Sequence, residues 1–399
     1  MKESHRALIE EVCQRMEFSL FYYDLDELKK HITKLTSLKG PGIKLWYATK
    51  ANPLSAIIKC FHGQGWGMDV ASEGELLQAL KSGVTPEKII ATGPAKPRDY
   101  LEILLERGVR TIVVESINQA YWLEELAEQY SLNPNILLRL QLPWQHGESV
   151  LGGDQITPFG LAPEDWHQFD ISRHPHLNII GVHVFQWSNI LELDRLEHIW
   201  RSTAKAAKEL SHKMKIPLPI IDIGGGLGIP YADGEGRVDF QKANSILENI
   251  RKEYNLTEIW MELGRYAIGE YGHYCTQVLD RKTVRHHEML VLDGGINHIS
   301  RAALTKQHFP CELLRASTAP HKKFHVHGPL CTALDKLGAF ELPADIHPGD
   351  WLVFNQVGAY GFTESMPYFL CHYLPGEVVI ENNRLSIIRD IKDSSSWLV

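Results

Sequence analysis

The amino-acid sequence predicts an α/β barrel followed by a separate β domain, and three observations support this prediction. From residue 44 onward, short apolar runs alternate with segments whose apolar residues recur at spacings of three and four, which is typical of helices. The apolar runs are continuous rather than alternating, as expected for parallel strands that are covered on both faces. After about residue 266, closely spaced strand patterns joined by short turns replace this alternation.

The first region contains eight strand candidates. They cover residues 44–50, 67–72, 88–93, 111–116, 136–141, 179–184, 220–226 and 259–265. Eight such units over roughly 220 residues match the number and length of a (β/α)8 barrel. An open, doubly wound sheet is the alternative that the same pattern allows. We expect the barrel domain to span residues 21–266.

The second region consists of strand-like stretches with little helical pattern. Examples are "HEMLVLDGG" and "DWLVFNQVGAYG", and "ENNRL" near the C-terminus is a hairpin signal. These features predict an antiparallel β-barrel or β-sandwich domain over residues 267–399. We expect residues 1–20 to pack on this second domain rather than on the barrel.

Composition and charge exclude several classes of protein. The chain is 44% apolar and 23% charged, and its net charge of -8 argues against a nucleic-acid-binding surface. No apolar run approaches the ~18 residues of a membrane span, and the N-terminal segment lacks the apolar core of a signal peptide. The six cysteines form no CxxC pair, so neither a disulfide framework nor a zinc site is indicated. We therefore expect a cytoplasmic protein that binds no metal, nucleic acid or membrane.

The segment "LWYATKANP" (45–53) places Lys50 at the tip of an apolar strand. A lysine whose stem packs on apolar neighbours while its ammonium stays in water would explain this position without any chemistry. However, the carboxyl ends of barrel strands meet at one rim, where the active site lies. Nearly every predicted strand brings a polar, charged or glycine residue to that rim: Lys50, Asp69, Gly93, Glu115, Arg139, His183, Gly224 to Gly226, and Glu262. This clustering favours a chemical role for Lys50.

Two later segments add the features of a phosphate site. The glycines of "DIGGGLG" (222–228) allow backbone N–H groups to approach an anion, and Arg265 of "ELGR" can hold a phosphate bidentately. A lysine, a phosphate cradle and the carboxylate of Glu262 meet the needs of pyridoxal phosphate. Tight strand exits also use glycine, and Glu–Arg pairs are common on surfaces, so the pattern alone leaves structural roles open.

Six segments, in this order, resemble the fold-type III pyridoxal-phosphate decarboxylases. They are "YATKANP", "DVASEGEL", "DIGGGLG", "ELGRY", "GPLCTALD" and "GAYGF". That group contains diaminopimelate, ornithine and arginine decarboxylases and is related to alanine racemase. The resemblance runs from "LFYYDLDEL" to the C-terminus. It implies an alanine-racemase-like barrel that binds pyridoxal phosphate, an amino acid substrate, and a homodimer whose composite active sites receive "GPLC" from the partner.

The resemblance also implies roles for individual residues. Lys50 would form the Schiff base, Glu262 would contact the pyridine nitrogen, and Cys331 would be the acid that reprotonates the substrate carbon. The expected cofactor-binding residues are Lys50, Asp69, Arg139, His183, Phe185, Ser188, Gly224, Gly225, Gly226, Glu262, Gly264, Arg265 and Tyr360.

The chain departs from the family pattern at positions that face the cofactor or the substrate. The family motif HxHxGS reads "HVFQWS" here, so Phe185 replaces a ring-stacking histidine, and a phenyl ring can also stack. Thr332 follows the cysteine where enzymes that act on diamino acids carry an acid, which leaves Asp335 as the nearest carboxylate. The segment "NHISRAAL" resembles the "RPALY" segment of diaminopimelate decarboxylases. We therefore expect Arg301, Thr332 and Asp335 to contact the substrate.

An arginine without an ammonium-binding acid favours a substrate whose distal end is not a free amine. Branches of the family in carboxylate-siderophore pathways, such as the staphyloferrin B decarboxylase, share "LCT" and act on citryl-amino acids. Our hypothesis is the decarboxylation of such a conjugate. A diaminopimelate or ornithine/lysine-type decarboxylase and a non-catalytic, cofactor-binding regulatory relative remain open. A racemase is disfavoured by Cys331, and nothing in the sequence supports a structural module.

Overall fold

The computed structural model describes residues 3–144, 155–232 and 234–398. It divides into two compact units. One, the barrel unit, comprises His31–Ile229 and Gly236–Ala267, and the other, the sheet unit, comprises Met1–Lys30, Pro230–Glu235 and Ile268–Val399. Among the described residues, no helix combines the length and the apolar character that crossing a membrane requires.

The chain starts in the sheet unit with helix α1 (Glu3–Met16) and strand β1 (Leu20–Asp24), which helix α2 (Leu25–Leu38) follows. Eight parallel strands then close into a barrel, because the last of them pairs with the first. They are β2 (Ile43–Ala48), β3 (Gly67–Val70), β4 (Ile89–Ala91), β5 (Thr111–Val114), β6 (Asn135–Arg139), β7 (Asn178–His183), β8 (Ile220–Asp222) and β9 (Glu258–Leu263). The closure confirms the predicted barrel and rules out the open doubly wound sheet.

Helices follow the barrel strands as the spacing of apolar residues predicts. They are α3 (Ser55–His62), α4 (Glu73–Lys81), α5 (Arg98–Glu106), α6 (Ile117–Gln129), α7 (Pro163–His167), α8 (Leu193–Met214), α9 (Phe240–Glu253) and α10 (Arg265–Ile268). Ser72 and Ser116 begin α4 and α6, because their hydroxyls accept hydrogen bonds from backbone N–H groups of the first turn. These caps fix where the connections leave the strand ends at the rim.

A layer of apolar side chains fills the barrel interior below the rim. Seven strands contribute one residue each: Trp46, Ile90, Val113, Leu137, Ile180, Ile220 and Trp260. The eighth strand contributes Gly67, where an added Cβ would collide with the Trp46 ring. The rings of Trp46 and Trp260 lie 5.2 Å apart. The interior is therefore a packed core, and polar side chains are left to the carboxyl ends of the strands.

The sheet unit contains helix α11 (Arg301–Thr305) and a nine-stranded sheet to which β1 belongs. Its other strands are β10 (Gly272–Val284), β11 (His287–Leu292), β12 (Cys311–Leu313), β13 (His321–His327), β14 (Lys336–Pro343), β15 (Trp351–Phe354), β16 (Gly376–Glu381) and β17 (Arg384–Arg389). Helix α1 packs on it through Ile9, Val12 and Cys13, as expected for residues 1–20. Most pairings are antiparallel, but β1 with β16 and β11 with β13 are parallel, so the sheet is mixed.

The strand Leu20–Asp24 corrects one predicted boundary. We placed residues 21–24 at the start of the barrel, whereas β1 pairs with β10 and β16 in the sheet unit. A buried apolar run such as "LFYYD" reads the same in either sheet. Its partners lie about 250 and 355 residues later in the chain, and that distant pairing decides its place.

Candidate active site

Lys50 lies at the rim of the barrel unit, in a single turn of 3-10 helix (Thr49–Ala51) directly after β2. Its Nζ is 2.8 Å from Oδ2 of Asp69 at the end of β3, and Oδ1 of Asp69 accepts a 2.5 Å hydrogen bond from the Thr92 hydroxyl. Burial raises the pKa of Asp69, whereas the Lys50 ammonium and the Thr92 hydroxyl oppose that shift. Asp69 is buried while a third of the Lys50 side chain (33%) is exposed, so the amine is held in place but remains accessible.

Arg139 is the centre of a second buried charge cluster. Its NH1 donates to Oε1 of Glu115 at 2.7 Å, and its NH2 donates to the backbone oxygen of Phe185 at 3.3 Å. The Phe159 ring covers the guanidinium at 4.5 Å. Nζ of Lys96 lies 3.8 Å from the same Glu115 oxygen. These contacts tie Arg139 to the backbone at Phe185, and its contact with the cofactor stays a prediction.

Lys96 is a site residue that the sequence motifs did not reveal. Its ammonium is fully buried and donates to the Gly93 backbone oxygen. Burial lowers its pKa to about 8, and the Glu115 carboxylate opposes that shift. Lys50 and Lys96 both follow the carboxyl ends of barrel strands, but Lys50 is partly exposed whereas Lys96 is buried.

The glycine run after β8 packs against Phe185 and Glu262. Gly224 has a φ of +60°, and a Cβ there would lie 2.5 Å from Cβ of Phe185. A Cβ on Gly225 would lie 2.5 Å from the Glu262 backbone oxygen. Gly226 also has a positive φ of +101°. Glycine is therefore required for this close approach, and the left-handed turn at Gly224 ends the strand earlier than the predicted residue 226.

Phe185, His183 and Ser188 lie on or just after β7. The Phe185 ring is half-buried, and its centroid lies 5.9 Å from Nζ of Lys50. His183 is buried and Ser188 is half-buried. Lys50 and Phe185 therefore share one side of the rim.

Glu262 lies near the end of β9 in a cluster of buried polar groups. One side-chain nitrogen of His183 and one carboxylate oxygen each of Asp222 and Glu262 lie within 4.8 Å of one another. Nε2 of His183 is 3.3 Å from Oε1 of Glu262. Burial lowers the pKa of His183 and raises the pKa of both carboxyl groups. Within the described residues, both His183 ring nitrogens, Glu262 Oε1 and Asp222 Oδ2 lack an aligned hydrogen-bond partner. Buried polar atoms left open in this way indicate a ligand.

These features fit pyridoxal phosphate. The accessible Lys50 amine suits a bond to its aldehyde, the open oxygen of Glu262 suits its ring nitrogen, and the glycine run suits its phosphate. Gly264 and Arg265 are buried directly after β9, and Arg265 begins α10. Contacts join Lys50 to Asp69 and Phe185, Phe185 to Arg139 and Gly224, and Glu262 to Gly225 and His183. These contacts include eight of the twelve predicted barrel residues; Ser188, Gly226, Gly264 and Arg265 are not among them.

The predicted substrate residues lie in the sheet unit. Cys331 is exposed and Thr332 half-buried, both in the turn between β13 and β14. Asp335, in the same turn, is buried and accepts hydrogen bonds from the backbone N–H groups of Ile296 (2.8 Å) and Leu330 (2.7 Å). Both of its oxygens are therefore used by the fold. Asp335 thereby fastens the Cys331 turn to the loop after β11, and its contact with the substrate stays a prediction.

Arg301 forms a second cluster in the sheet unit. It is buried at the start of α11, and its NH1 donates to Oε2 of Glu364 at 3.0 Å. The guanidinium carbon lies 5.4 Å from the Tyr360 ring, and Tyr360 has a left-handed φ of +56°. Arg301 and Tyr360 are thus brought together, and the predicted role of each stays a prediction.

Sequence reasoning missed Lys96, Thr92, Asp222 and Glu364. The signals were weak: a lysine in "GPAKP", an acid directly before the glycine run, and an acid just after "GAYGF". Each becomes visible only when its partner in the folded chain is known.

Comparison with known proteins identifies the family of the chain. The model of the pyridoxal-binding domain of pyridoxal-dependent decarboxylases matches residues 25–269. The chain is 29% identical to the L-glutamyl-[BtrI acyl-carrier protein] decarboxylase of Niallia circulans, over 96% of this chain and 94% of that protein. It is 29% identical to the 2-[(L-alanin-3-ylcarbamoyl)methyl]-2-hydroxybutanedioate decarboxylase of Staphylococcus aureus, over 89% and 92%. It is 28% identical to a diaminopimelate decarboxylase of Helicobacter pylori, over 95% and 94%.

A solved structure confirms the fold. The diaminopimelate decarboxylase from Helicobacter pylori in complex with L-lysine superimposes with a TM-score of 0.88, at 24% identity, over 97% of this chain and 98% of that one. The barrel and the sheet domain are therefore those of the predicted class. The chain belongs to the family of pyridoxal-dependent decarboxylases, and its cofactor is pyridoxal phosphate.

Proposed function

We propose that this pyridoxal-dependent amino acid decarboxylase acts on an amino acid whose distal end is joined to another group, as in a citryl-amino acid. The observation that carries this proposal concerns the two carboxylates nearest in sequence to Cys331 and Tyr360. Asp335 is used by two backbone N–H groups, and Glu364 is paired with Arg301. Neither is available to hold the distal ammonium of a free diamino acid, which needs an anionic partner when it is desolvated.

Two relatives support a conjugated substrate. The Niallia circulans enzyme is named for a glutamyl group joined to a carrier protein, and the Staphylococcus aureus enzyme for an alanine joined through a carbamoyl group to a hydroxybutanedioate. The neutralised Arg301–Glu364 pair suits an uncharged linkage of this kind. A citryl conjugate would place the reaction in the biosynthesis of a carboxylate siderophore.

The barrel unit would bind the cofactor. When bound, pyridoxal phosphate accepts the electrons that remain on the α-carbon after carbon dioxide leaves. Lys50 would attach it covalently, Glu262 would contact its ring nitrogen, and Phe185 would stack on its ring. The glycine run, Gly264 and Arg265 would hold the phosphate, with Asp69, Arg139, His183 and Ser188 around the ring. Tyr360, which belongs to the sheet unit, stays a predicted phosphate contact. Asp69 orients the Lys50 amine through their 2.8 Å contact.

The sheet unit would supply the proton and the specificity. The Cys331 thiol would donate a proton to the substrate carbon after decarboxylation, and Thr332 would lie beside the substrate. We infer a homodimer in which the exposed Cys331 turn enters the partner's active site. In that arrangement Asp335 sets the shape of the turn, and Arg301 is the group nearest to the distal linkage.

Initial rates of carbon dioxide release from the purified, cofactor-loaded protein test the substrate. The probes are a citryl conjugate of 2,3-diaminopropionate, a γ-glutamyl thioester, meso-diaminopimelate and L-ornithine. We expect kcat/KM for one of the conjugates to exceed that for both free diamino acids by at least about tenfold, because an unpaired ammonium opposes binding of the latter. Faster turnover of meso-diaminopimelate or L-ornithine would instead establish the runner-up function, a diaminopimelate or ornithine/lysine-type decarboxylase.

A non-catalytic regulatory role is the remaining alternative. The partly exposed Lys50, held by Asp69, argues against it, because that arrangement keeps an amine ready for chemistry. Bound cofactor without turnover of any of the four probes would favour this alternative.

A further inference from the structure

Asp222, the last residue of β8, lies between the glycine run and Glu262. It is fully buried, and its Oδ1 accepts a 2.8 Å hydrogen bond from the N–H of Gly224. One of its oxygens lies within 4.8 Å of both a Glu262 oxygen and a His183 ring nitrogen. A single side chain therefore touches the first glycine of the loop and also faces the carboxyl group proposed to contact the cofactor ring.

We propose that Asp222 is a positioning residue that carries the one proton shared by these two carboxyl groups. Through its Oδ2–H it holds the Glu262 carboxylate in place for the ring nitrogen of the cofactor, and through Oδ1 it fixes the start of the glycine loop. This inference rests on the proposed roles of Glu262 and the glycine run.

The charges around Asp222 and Glu262 favour a proton shared between them. Two buried carboxylates this close repel one another strongly unless a cation or a proton lies between them. Glu262 on β9 and His183 on β7 lie beside Asp222 on the two neighbouring strands, and Asp69 on β3 and Lys44 on β2 interact with it electrostatically from further round the barrel. Lys44 lies over the rings of Trp46 and Trp260, at 4.2 and 4.4 Å.

The other nearby cations are committed elsewhere. Lys50 is 2.8 Å from Asp69, and Arg139 is 2.7 Å from Glu115. His183 is kept neutral, because burial and the positive charge of Arg139 lower its pKa. Among the residues that the structure describes, a shared proton is therefore the remaining way to relieve the repulsion between Asp222 and Glu262.

The hydrogen bonds and charges at Asp222 and Glu262 indicate which carboxyl group carries that proton. Oδ1 of Asp222 already accepts the Gly224 N–H, whereas Oδ2 accepts no hydrogen bond from any donor among the described residues. Burial and the charge of Glu262 raise the pKa of Asp222 well above its usual range. For Glu262 the positive charges of Lys50 and Arg139 oppose the effect of burial. The proton therefore belongs on Oδ2 of Asp222, and Glu262 remains the acceptor.

The glycine loop and the end of β9 are in direct backbone contact. The Glu262 N–H donates to the Gly224 backbone oxygen at 2.7 Å, and Gly225 packs against the Glu262 backbone. The glycine loop and the end of β9 are thus joined through their backbones. Asp222 adds the side-chain connection, so a disturbance at Glu262 would be transmitted to the loop.

Two substitutions test whether the Asp222 side chain acts as a protonated hydrogen-bond donor or as an ionised carboxylate. In Asp222→Asn the amide oxygen can accept from Gly224 and the amide N–H₂ can donate to Glu262. We expect it to keep the dissociation constant for pyridoxal phosphate within about threefold of the wild type. Asp222→Ala removes both hydrogen bonds and leaves buried partners unsatisfied, so we expect binding at least about tenfold weaker. Titration of the apoprotein with pyridoxal phosphate, followed by absorbance, measures both values.

Asp69→Asn is the matched control, because Asp69 is also a buried aspartate at a strand end. In Asp69→Asn the Lys50 ammonium loses its 2.8 Å counter-charge, so we expect at least about tenfold weaker binding. Circular dichroism and thermal unfolding check that each variant folds. If Asp222→Ala does not fold, the contrast between the two asparagine variants still decides the question.

Equal weakening by Asp222→Asn and Asp69→Asn in folded proteins would overturn the proposal, since Asp222 would then act as a charge. Unchanged cofactor affinity in Asp222→Ala would also overturn it. Neither result depends on which amino acid is decarboxylated. Glu262→Ala tests the assignment of Glu262 separately. Unchanged cofactor affinity in this variant would contradict that assignment, whereas weaker binding together with unchanged affinity in Asp222→Ala would contradict only the role of Asp222.

Discussion

The barrel unit and the sheet unit hold their functional side chains in opposite ways. In the barrel unit, Lys50, Asp69, Arg139 and Glu262 lie at the carboxyl ends of barrel strands, and of these only Lys50 is appreciably exposed. In the sheet unit, Cys331 and Thr332 lie on an exposed turn, while the buried Arg301 is already paired with Glu364.

The difference shows which part of the reaction each unit prepares. Once the eight strands close, the barrel brings its polar ends together, so the cofactor site forms as part of the fold. The turns of the sheet unit are free to differ between relatives that share the fold, and residues on such loops commonly set specificity. We therefore propose that the barrel unit carries the cofactor chemistry and that the sheet unit carries the proton donor and the distal recognition.

Replacing Cys331 should have the largest effect of the changes in the sheet unit. We expect Cys331→Ala to lower kcat by about 10²- to 10³-fold, because the substrate carbon loses its acid, while the affinity for pyridoxal phosphate stays the same. Steady-state rates and a cofactor titration measure the two quantities. Cys371→Ala, which removes another exposed cysteine of the same unit, should change neither. A loss of cofactor binding in Cys331→Ala would contradict the division between the units.

Replacing Asp335 tests its structural assignment. Asp335→Asn places an amide N–H₂ opposite a backbone donor, so we expect the free energy of unfolding to fall by about 2 kcal/mol. Urea denaturation gives this value, and Glu341→Asn on the exposed face of β14 is the control. Unchanged stability combined with a raised KM would show instead that Asp335 contacts the substrate.

Acid should destabilise the sheet unit through His298. The Tyr274 hydroxyl lies 2.7 Å from its Nδ1, and its Nε2 lies 2.8 Å from the Tyr373 backbone oxygen, which suits a neutral ring. Burial lowers its pKa to about 4. Between pH 6.5 and 4 the unfolded chain therefore binds the proton that the folded state rejects, and stability falls as the pH falls.

Between pH 7 and pH 5, we expect the free energy of unfolding to fall by about 1–2 kcal/mol less in His298→Asn than in the wild type. Denaturant unfolding at each pH measures this difference. His31 in the barrel unit also has a pKa lowered to about 4, so His31→Asn gives the matching measurement there. Parallel pH profiles for wild type and variant would contradict the assignment.

The smallest expected effect concerns Glu364. In Glu364→Gln the guanidinium of Arg301 keeps a hydrogen-bond acceptor but loses its counter-charge. We expect the kcat/KM for L-2-aminoadipate, with a distal carboxylate, to rise about 3- to 10-fold relative to that for L-glutamine, with a distal amide. Glu341→Gln serves as the control. An unchanged ratio would remove Arg301 from distal recognition.

The sequence predicted the barrel better than the details of either site. Strand β2 was expected at 44–50 and spans Ile43–Ala48, because apolar runs and the polar residues at their ends are local features. The pairing of Arg301 with Glu364, of Asp335 with the Ile296 N–H, and of Lys96 with Glu115 joins residues that are 19 to 63 positions apart. No local pattern encodes such contacts, and they decide which charged groups remain available to a ligand.

Lys50, and not the buried Lys96, is proposed to anchor the cofactor, and the rest of the proposed function depends on this assignment. Borohydride reduction of the cofactor-loaded protein makes the bond between lysine and cofactor permanent, and peptide mapping by mass spectrometry then locates it. We predict the modification on Lys50 alone, together with loss of the visible absorbance band in Lys50→Ala. Modification of Lys96, or an unchanged band in Lys50→Ala, would contradict the account.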